Sequence, residues 1–147
     1  MFKHILLPTD GSKLSNRAIK LGIAYARKSK ARVTAMHVVP EFKLLVDDGI
    51  TMLSPALKKR IEDQGRARAE KMLEDVARQA RARGVRCTTL CASNDVPYQK
   101  IISVARSRKC DLILMASHGR RGLSSLLLGS ETAKVLLHSK IPVLVVR

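Results

Sequence analysis

Two turn-forming stretches carry residue types that could hold a ligand: Pro8-Thr9-Asp10-Gly11-Ser12 and Ala116-Ser117-His118-Gly119-Arg120-Arg121-Gly122. The second leads on to Gly129-Ser130. Gly119 and Gly122 let a backbone bend and approach a phosphate closely. Gly129 and Ser130 would place free N–H groups and a hydroxyl at the start of a helix, where the dipole favours negative charge. Arg120 and Arg121 add positive charge. Together these make an anion cradle, although it is neither a Walker A loop nor a G-x-G-x-x-G fingerprint. Taken alone, the same residues also read as ordinary turn glycines and a helix cap. Asp10 likewise reads either as a ligand-side carboxylate or as a turn residue before a helix.

No hydrolytic constellation accompanies them. His118 invites a reading as general base, but the local sequence offers it no nucleophile with an orienting carboxylate, and it reads as a backbone support. His4, His37 and His138 lack metal-ligand spacing. Asp95 reads as a helix cap. No paired carboxylates mark a hydrolase. No catalytic residue and no protein-held metal site is therefore assigned.

The elements that must position these turns alternate along the chain. His4-Ile5-Leu6-Leu7 is a short apolar run, and Ser12 to Lys30 reads as a helix capped by Ser12, with Leu14, Ala18, Leu21, Gly22 and Tyr25 on one face. Val33 to Val39 is a second strand. Residues 41 to 56 show no period, and Asp47, Asp48 and Gly49 suggest a loop. A long helix is expected over Ala56 to Arg83, with Leu57, Ile61, Ala69, Met72, Leu73, Val76 and Ala80 inward, an interruption at Gly65 and a stop at Gly84. Val85 to Ala92 is a third strand. A helix starting near Pro97 buries Tyr98, Ile101, Ile102 and Ala105. Asp111 to Met115 is a near-continuous apolar run, as a parallel strand covered on both faces requires. Ser117 to Ser130 is loop-like with a leucine-rich middle, Glu131 to Ser139 a short helix, and Pro142 to Val146 the last strand. Such alternation implies one α/β domain over residues 1–147 with a parallel sheet and right-handed crossovers. Ligands of such sheets bind outside the carboxyl ends of strands where the strand order reverses, which selects the turns after the first and fourth strands.

Composition narrows the function classes. Apolar residues make up 46% and charged residues 27% of 147, as in a folded globular domain and unlike a disordered chain. No apolar run approaches the roughly 20 residues that span a bilayer. The opening residues are too short and too quickly polar for a signal peptide, so a cytoplasmic location is expected. Cys87, Cys91 and Cys110 form no Cys-x-x-Cys pair; Cys87 and Cys91, four apart in a strand, should face the same way as packing residues. The 28 Lys and Arg against 12 Asp and Glu give a net charge of +16, which attracts polyanions non-specifically. Only four aromatics, Phe2, Tyr25, Phe42 and Tyr98, offer stacking surface to single-stranded nucleic acid.

Over essentially its whole length the chain resembles the universal stress protein family. Ile5-Leu6-Leu7-Pro8-Thr9-Asp10-Gly11-Ser12 is similar to the family's first strand and turn, and Met36-His37-Val38-Val39 to its second strand. The most specific stretch runs from Asp111 to Gly119 and through Leu126-Leu127-Leu128-Gly129-Ser130 to Pro142-Val143-Leu144-Val145-Val146. The nucleotide-binding branch carries a G-x-x-G, nine-residue, G-[ST] motif; Gly119 matches the second glycine and Gly129-Ser130 the end, while Ala116 stands where the first glycine would be. A methyl group there crowds the ribose or phosphates, or is harmless if the backbone is extended. The resemblance implies an adenine nucleotide alpha hydrolase-like sheet of strand order 3-2-1-4-5 with helices on both faces. It also implies bound ATP, with Mg²⁺ arriving on the phosphates. Asp10 would lie near the ribose, Val38 and Met115 beside the adenine, and Gly119, Gly129 and Ser130 around the phosphates, with Gly122 as an additional candidate. Pro8, Thr9, Ala116, His118, Glu131 and Thr132 complete the expected site. The implied role is regulation or stress response. Two rivals are a slow ATPase or phosphotransferase using the same pocket, and a basic polyanion-binding module. The apolar last strand, as an unpaired edge, is expected to pair with its own copy in a homodimer, as the resemblance also implies.

Overall fold

Short apolar runs bounded by turns become strands here, and amphipathic stretches become the helices that cover them. A computed structural model describes residues 1–41, 54–119 and 128–147. Its strands are β1 (His4–Pro8), β2 (Arg32–Val39), β3 (Cys87–Ser93), β4 (Leu112–Ala116) and β5 (Val143–Val146). Between them lie α1 (Lys13–Ser29), α2 (Pro55–Arg81), α3 (Pro97–Ser107) and α4 (Ser130–His138). All strand pairs are parallel, as the alternation of elements implies, and the order is β3-β2-β1-β4-β5, as the resemblance implies. The expected loop at Asp47, Asp48 and Gly49, and the motif residues Arg120, Arg121 and Gly122, lie outside the described residues. No described helix is long and apolar enough to cross a membrane.

Side chains alternate between two cores, as the two-residue period of a strand demands. Ile5, Leu7, Val33, Ala35, Leu112, Leu114 and Ala116 pack with α1 and α2, whereas Leu6, Met36, Ile113 and Met115 pack with α3 and α4. Cys87 and Cys91 both join the first core, as their spacing predicts. Covering the sheet on both faces is what makes β1 and β4 continuously apolar.

Two helix faces differ from expectation. The α1 stripe is rolled: Ser15, Ala18, Ile19, Gly22, Ile23 and Ala26 are buried, and Leu21 is 48% exposed. The roll puts Gly22 against Leu7, so closely that a Cβ at 22 would lie 2.5 Å from Leu7 Cδ2. In α2 the inward face is confined to Ala69, Leu73, Val76, Ala77 and Ala80, and Leu57 is 41% exposed. The first turns of α2 project past the sheet's core. Gly65 does not interrupt the helix, since tertiary support outweighs a propensity cost of about 1 kcal/mol. Gly84 ends the connection with a left-handed φ of 70° that favours glycine.

The amino edge of the sheet carries a buried polar chain. His4 Nε2 lies 2.8 Å from Thr34 Oγ1, which lies 3.1 Å from Thr88 Oγ1, linking three strands. His4 Nδ1 is buried with no hydrogen-bond partner. Burial lowers the His4 pKa, the Arg32 charge lowers it further, and the Arg108 and Lys109 carbonyls and Asp111 oppose the shift. Burial alone would raise the Asp111 carboxyl, but backbone N–H groups of His4 (2.9 Å) and Lys3 (2.8 Å) hold it below its ordinary value.

Both depressed values make acid destabilising. The unfolded chain protonates its His4 near pH 6.5, while the native chain resists until its lower pKa, so stability falls with acidification across that window. The contribution of Asp111 is present above its unfolded pKa and is lost only at lower pH, as the native carboxyl protonates. The urea midpoint should fall from pH 7 to pH 5, and His4→Gln should flatten that slope. An unchanged slope in the variant would show that His4 does not carry the effect.

Candidate functional site

The reversal of strand order between β1 and β4 brings the two candidate turns together at the carboxyl edge. The turn after β1 is held by its own polar groups. Thr9 is buried; its N–H donates to the Met36 carbonyl at 2.8 Å, and its hydroxyl lies 2.6 Å from Ser15 Oγ. The Gly11 N–H donates to Thr9 Oγ1 at 3.2 Å. His37 Nδ1–H donates to the Thr9 carbonyl at 2.7 Å, so β2 also fixes this turn. One Asp10 oxygen accepts the Ser12 N–H at 2.9 Å, and Ser12 caps α1 through the Ser15 N–H. Asp10 thus acts as a turn residue through Oδ1, while its Oδ2 lies against Gly119, where a Cβ would collide with it.

The turn after β4 is tied to the start of α4. Gly129 N–H donates to the Ser117 carbonyl at 2.7 Å, and a Cβ at 129 would stand 2.9 Å from the His118 Cα. Glycine at 129 is thus required by close approach of two backbones. Thr132 Oγ1 donates to the Ala116 carbonyl at 2.9 Å, and the Ser117 N–H reaches the Val146 carbonyl at 2.8 Å. Ser117 Oγ lies 3.1 Å from His118 Nδ1, a side-chain contact between neighbours in sequence. Gly129 has no side chain with which to cap α4, and a helix start of this kind favours an anion.

The remaining expected residues divide by place. Val38 and Met115 sit in the α3 and α4 core near the carboxyl ends of β2 and β4, and Pro8 ends β1. Ala116 is 7% exposed, and its methyl belongs to the core on the α1 side. Glu131 points away from the cradle and towards α3, where its Oε2 accepts the Tyr98 N–H at 2.9 Å, while Oε1 pairs with Lys134 at 3.2 Å. It caps α3, whose N-cap is Val96 and not Asp95. His37 and Ser15, which hold Thr9, carry no local signal beyond their place at a strand end and a helix start. Among the described residues no cluster of three His, Cys, Asp or Glu could hold a metal.

Known proteins share this sequence family and this fold. The model of the Universal stress protein family matches residues 1–147. Universal stress protein MJ0531 of Methanocaldococcus jannaschii is 33% identical over 150 residues, covering 100% of this chain and 83% of that protein. The solved structure of MJ0577, from the same organism, superposes with a TM-score of 0.85 at 27% identity, covering 99% of this chain and 96% of that one. A universal stress protein solved in complex with cAMP shares the fold, with a TM-score of 0.72 at 22% identity and coverage of 99% and 97%.

The Thr132 tether is the contact on which the site's shape depends most directly. Thr132→Val keeps the volume but strips a buried carbonyl of its donor, and should cost about 1–3 kcal/mol in urea unfolding. A variant as stable as the parent would show that the hydroxyl does not fasten α4 to β4.

Proposed function

The chain belongs to the universal stress protein family, and from that premise we propose that it binds ATP at the carboxyl ends of β1 and β4 in a regulatory or stress-response role. The observation that carries this reading is the glycine cradle. Gly119 and Gly129 stand where a Cβ would strike Asp10 or the His118 backbone, beside the uncapped N-terminus of α4. A triphosphate fits that donor set: main-chain N–H groups at Ser130, Glu131 and Thr132 face the helix start, and the dipole adds to them. Asp10 is within reach of a ribose hydroxyl, and Val38 and Met115 offer an apolar wall for the base. Mg²⁺ accompanies the phosphates. The Ala116 methyl, packed on the α1 side, leaves the ligand side clear, which favours the harmless alternative for this departure from the motif.

Thermal unfolding with and without millimolar ATP and Mg²⁺ tests the proposal, since a ligand bound to the native state alone raises the midpoint. Stabilisation is expected, and Gly129→Leu should abolish it. Ala116→Gly should leave affinity within about twofold, or ~0.4 kcal/mol. No stabilisation by ATP would overturn the reading, and tighter binding by Ala116→Gly would restore the crowding argument.

We also propose that β5 pairs with its own copy. It is an edge strand in the sheet order, and Val143, Leu144 and Val145 are half-buried on a strand with one sheet neighbour. An apolar edge is an aggregation hazard unless it is paired, and two-fold pairing closes it. Light scattering should give a dimer mass, and Val143→Glu with Val145→Glu should give a monomer. A monomer mass for the parent protein well above micromolar concentration would exclude the dimer.

A further inference from the structure

At the amino edge of the sheet, opposite the glycine cradle, lies an open cleft of about 350 Å³. Its lining is His4, Arg32, Val33, Thr34, Arg86, Cys87, Thr88 and Arg108. We propose that this cleft is a binding site for a small free oligophosphate of three or more negative charges, held by Arg32, Arg86 and Arg108.

Three features support it. First, the arginines arrive from separate elements and are anchored through their main chains. Arg32 opens β2 and its N–H donates to the Lys3 carbonyl at 3.0 Å; the Arg86 carbonyl accepts the Val33 N–H at 2.8 Å; the Arg108 N–H closes α3 on the Val104 carbonyl at 2.9 Å. Convergence of three cations is costly unless a counter-charge is present.

Second, no carboxylate among the described residues forms an ion pair with these arginines, although the Asp111 charge reaches the same neighbourhood. The ion pairs of the described residues are Lys58–Glu62, Arg78–Asp75, Arg81–Glu74 and Lys134–Glu131, and none includes a lining arginine. Asp111, the nearest acid in sequence to Arg108, turns its oxygens to the Lys3 and His4 N–H groups. The lining itself contains no acid.

Third, the wall is polar. His4 is 6% exposed, and the Thr34 and Thr88 hydroxyls continue from its Nε2 towards the surface. Guanidinium forks match phosphate oxygens in pairs, and three of them suit a chain of linked phosphates better than one monoanion. The volume equals roughly ten waters of bulk liquid, which admits such a chain. An adenine ring would find no apolar slot here, because only Val33 and the half-buried Cys87 are apolar in the lining.

The test uses Gly119→Val protein, in which the nucleotide cradle is closed, so that binding there cannot be mistaken for binding at the arginines. Calorimetry in about 0.15 M salt, where surface attraction is largely screened, compares tripolyphosphate, pyrophosphate and inorganic phosphate. Saturable one-to-one binding of tripolyphosphate is expected, weaker for pyrophosphate and weakest for phosphate. Combining Arg32→Gln, Arg86→Gln and Arg108→Gln should weaken it by about tenfold or more. Combining Arg17→Gln, Arg27→Gln and Lys28→Gln, exposed positions on α1 with the same charge change, should weaken it by less than about twofold. All these side chains are exposed, and circular dichroism checks that each variant is folded. Absence of saturable binding overturns the proposal. So does an equal loss in the α1 variant, which would assign the binding to net charge alone.

Discussion

The parallel pairing of β1 with β4 is the constraint on which the rest of the molecule depends. It is short, with Ile5 opposite Leu112 and Leu6 opposite Ile113. Its register is fixed from the amino edge by Asp111, whose two oxygens accept the first N–H groups of the neighbouring strand. Here the chain leaves one half of the sheet and begins the other, so the turns that follow β1 and β4 diverge to opposite faces and open a crevice between them. Asp10 against Gly119 is a direct result of that pairing. A slip of one residue would move each β4 side chain from one core into the other and remove the crevice with it.

Much of this was legible because a doubly covered parallel sheet writes itself plainly into a sequence. Its central strands are apolar on both faces, so Ile5-Leu6-Leu7 and Leu112-Ile113-Leu114-Met115 stand out as runs without alternation. The Cys87 and Cys91 pair obeyed the two-residue period for the same reason. The helices were legible in existence but not in rotation. Leu21 fits a periodic stripe as well as Ile19 or Ile23, and only the contact of Gly22 with Leu7 decides which face turns inward. Leu57 misled because a long helix can outrun the sheet it covers.

The candidate site divides in the same way. Its turn glycines and Asp10 carry local signals, and the family motif supplies their spacing. The bonds that fasten the site join residues far apart in the chain: Thr132 to Ala116, His37 to Thr9, Glu131 to Tyr98. No local pattern announces such a pair. A first-turn glutamate such as Glu131 suits its own helix dipole, and nothing in its neighbourhood in sequence shows that it serves α3 instead. The Ala116 departure became interpretable only once strand alternation placed its methyl on the α1 side.

The capping of α3 from α4 bears on the order in which the chain assembles. Helix α3 has 11 residues, too few to persist alone in water. Its N-cap is a valine that offers no side-chain acceptor, and Asn94 accepts the Val96 N–H. The acceptor for the next exposed donor comes from a residue 33 positions later. Synthesis from the amino end therefore delivers α3 before its cap exists. The Tyr98 N–H bond therefore couples the first turn of α3 to the docking of α4.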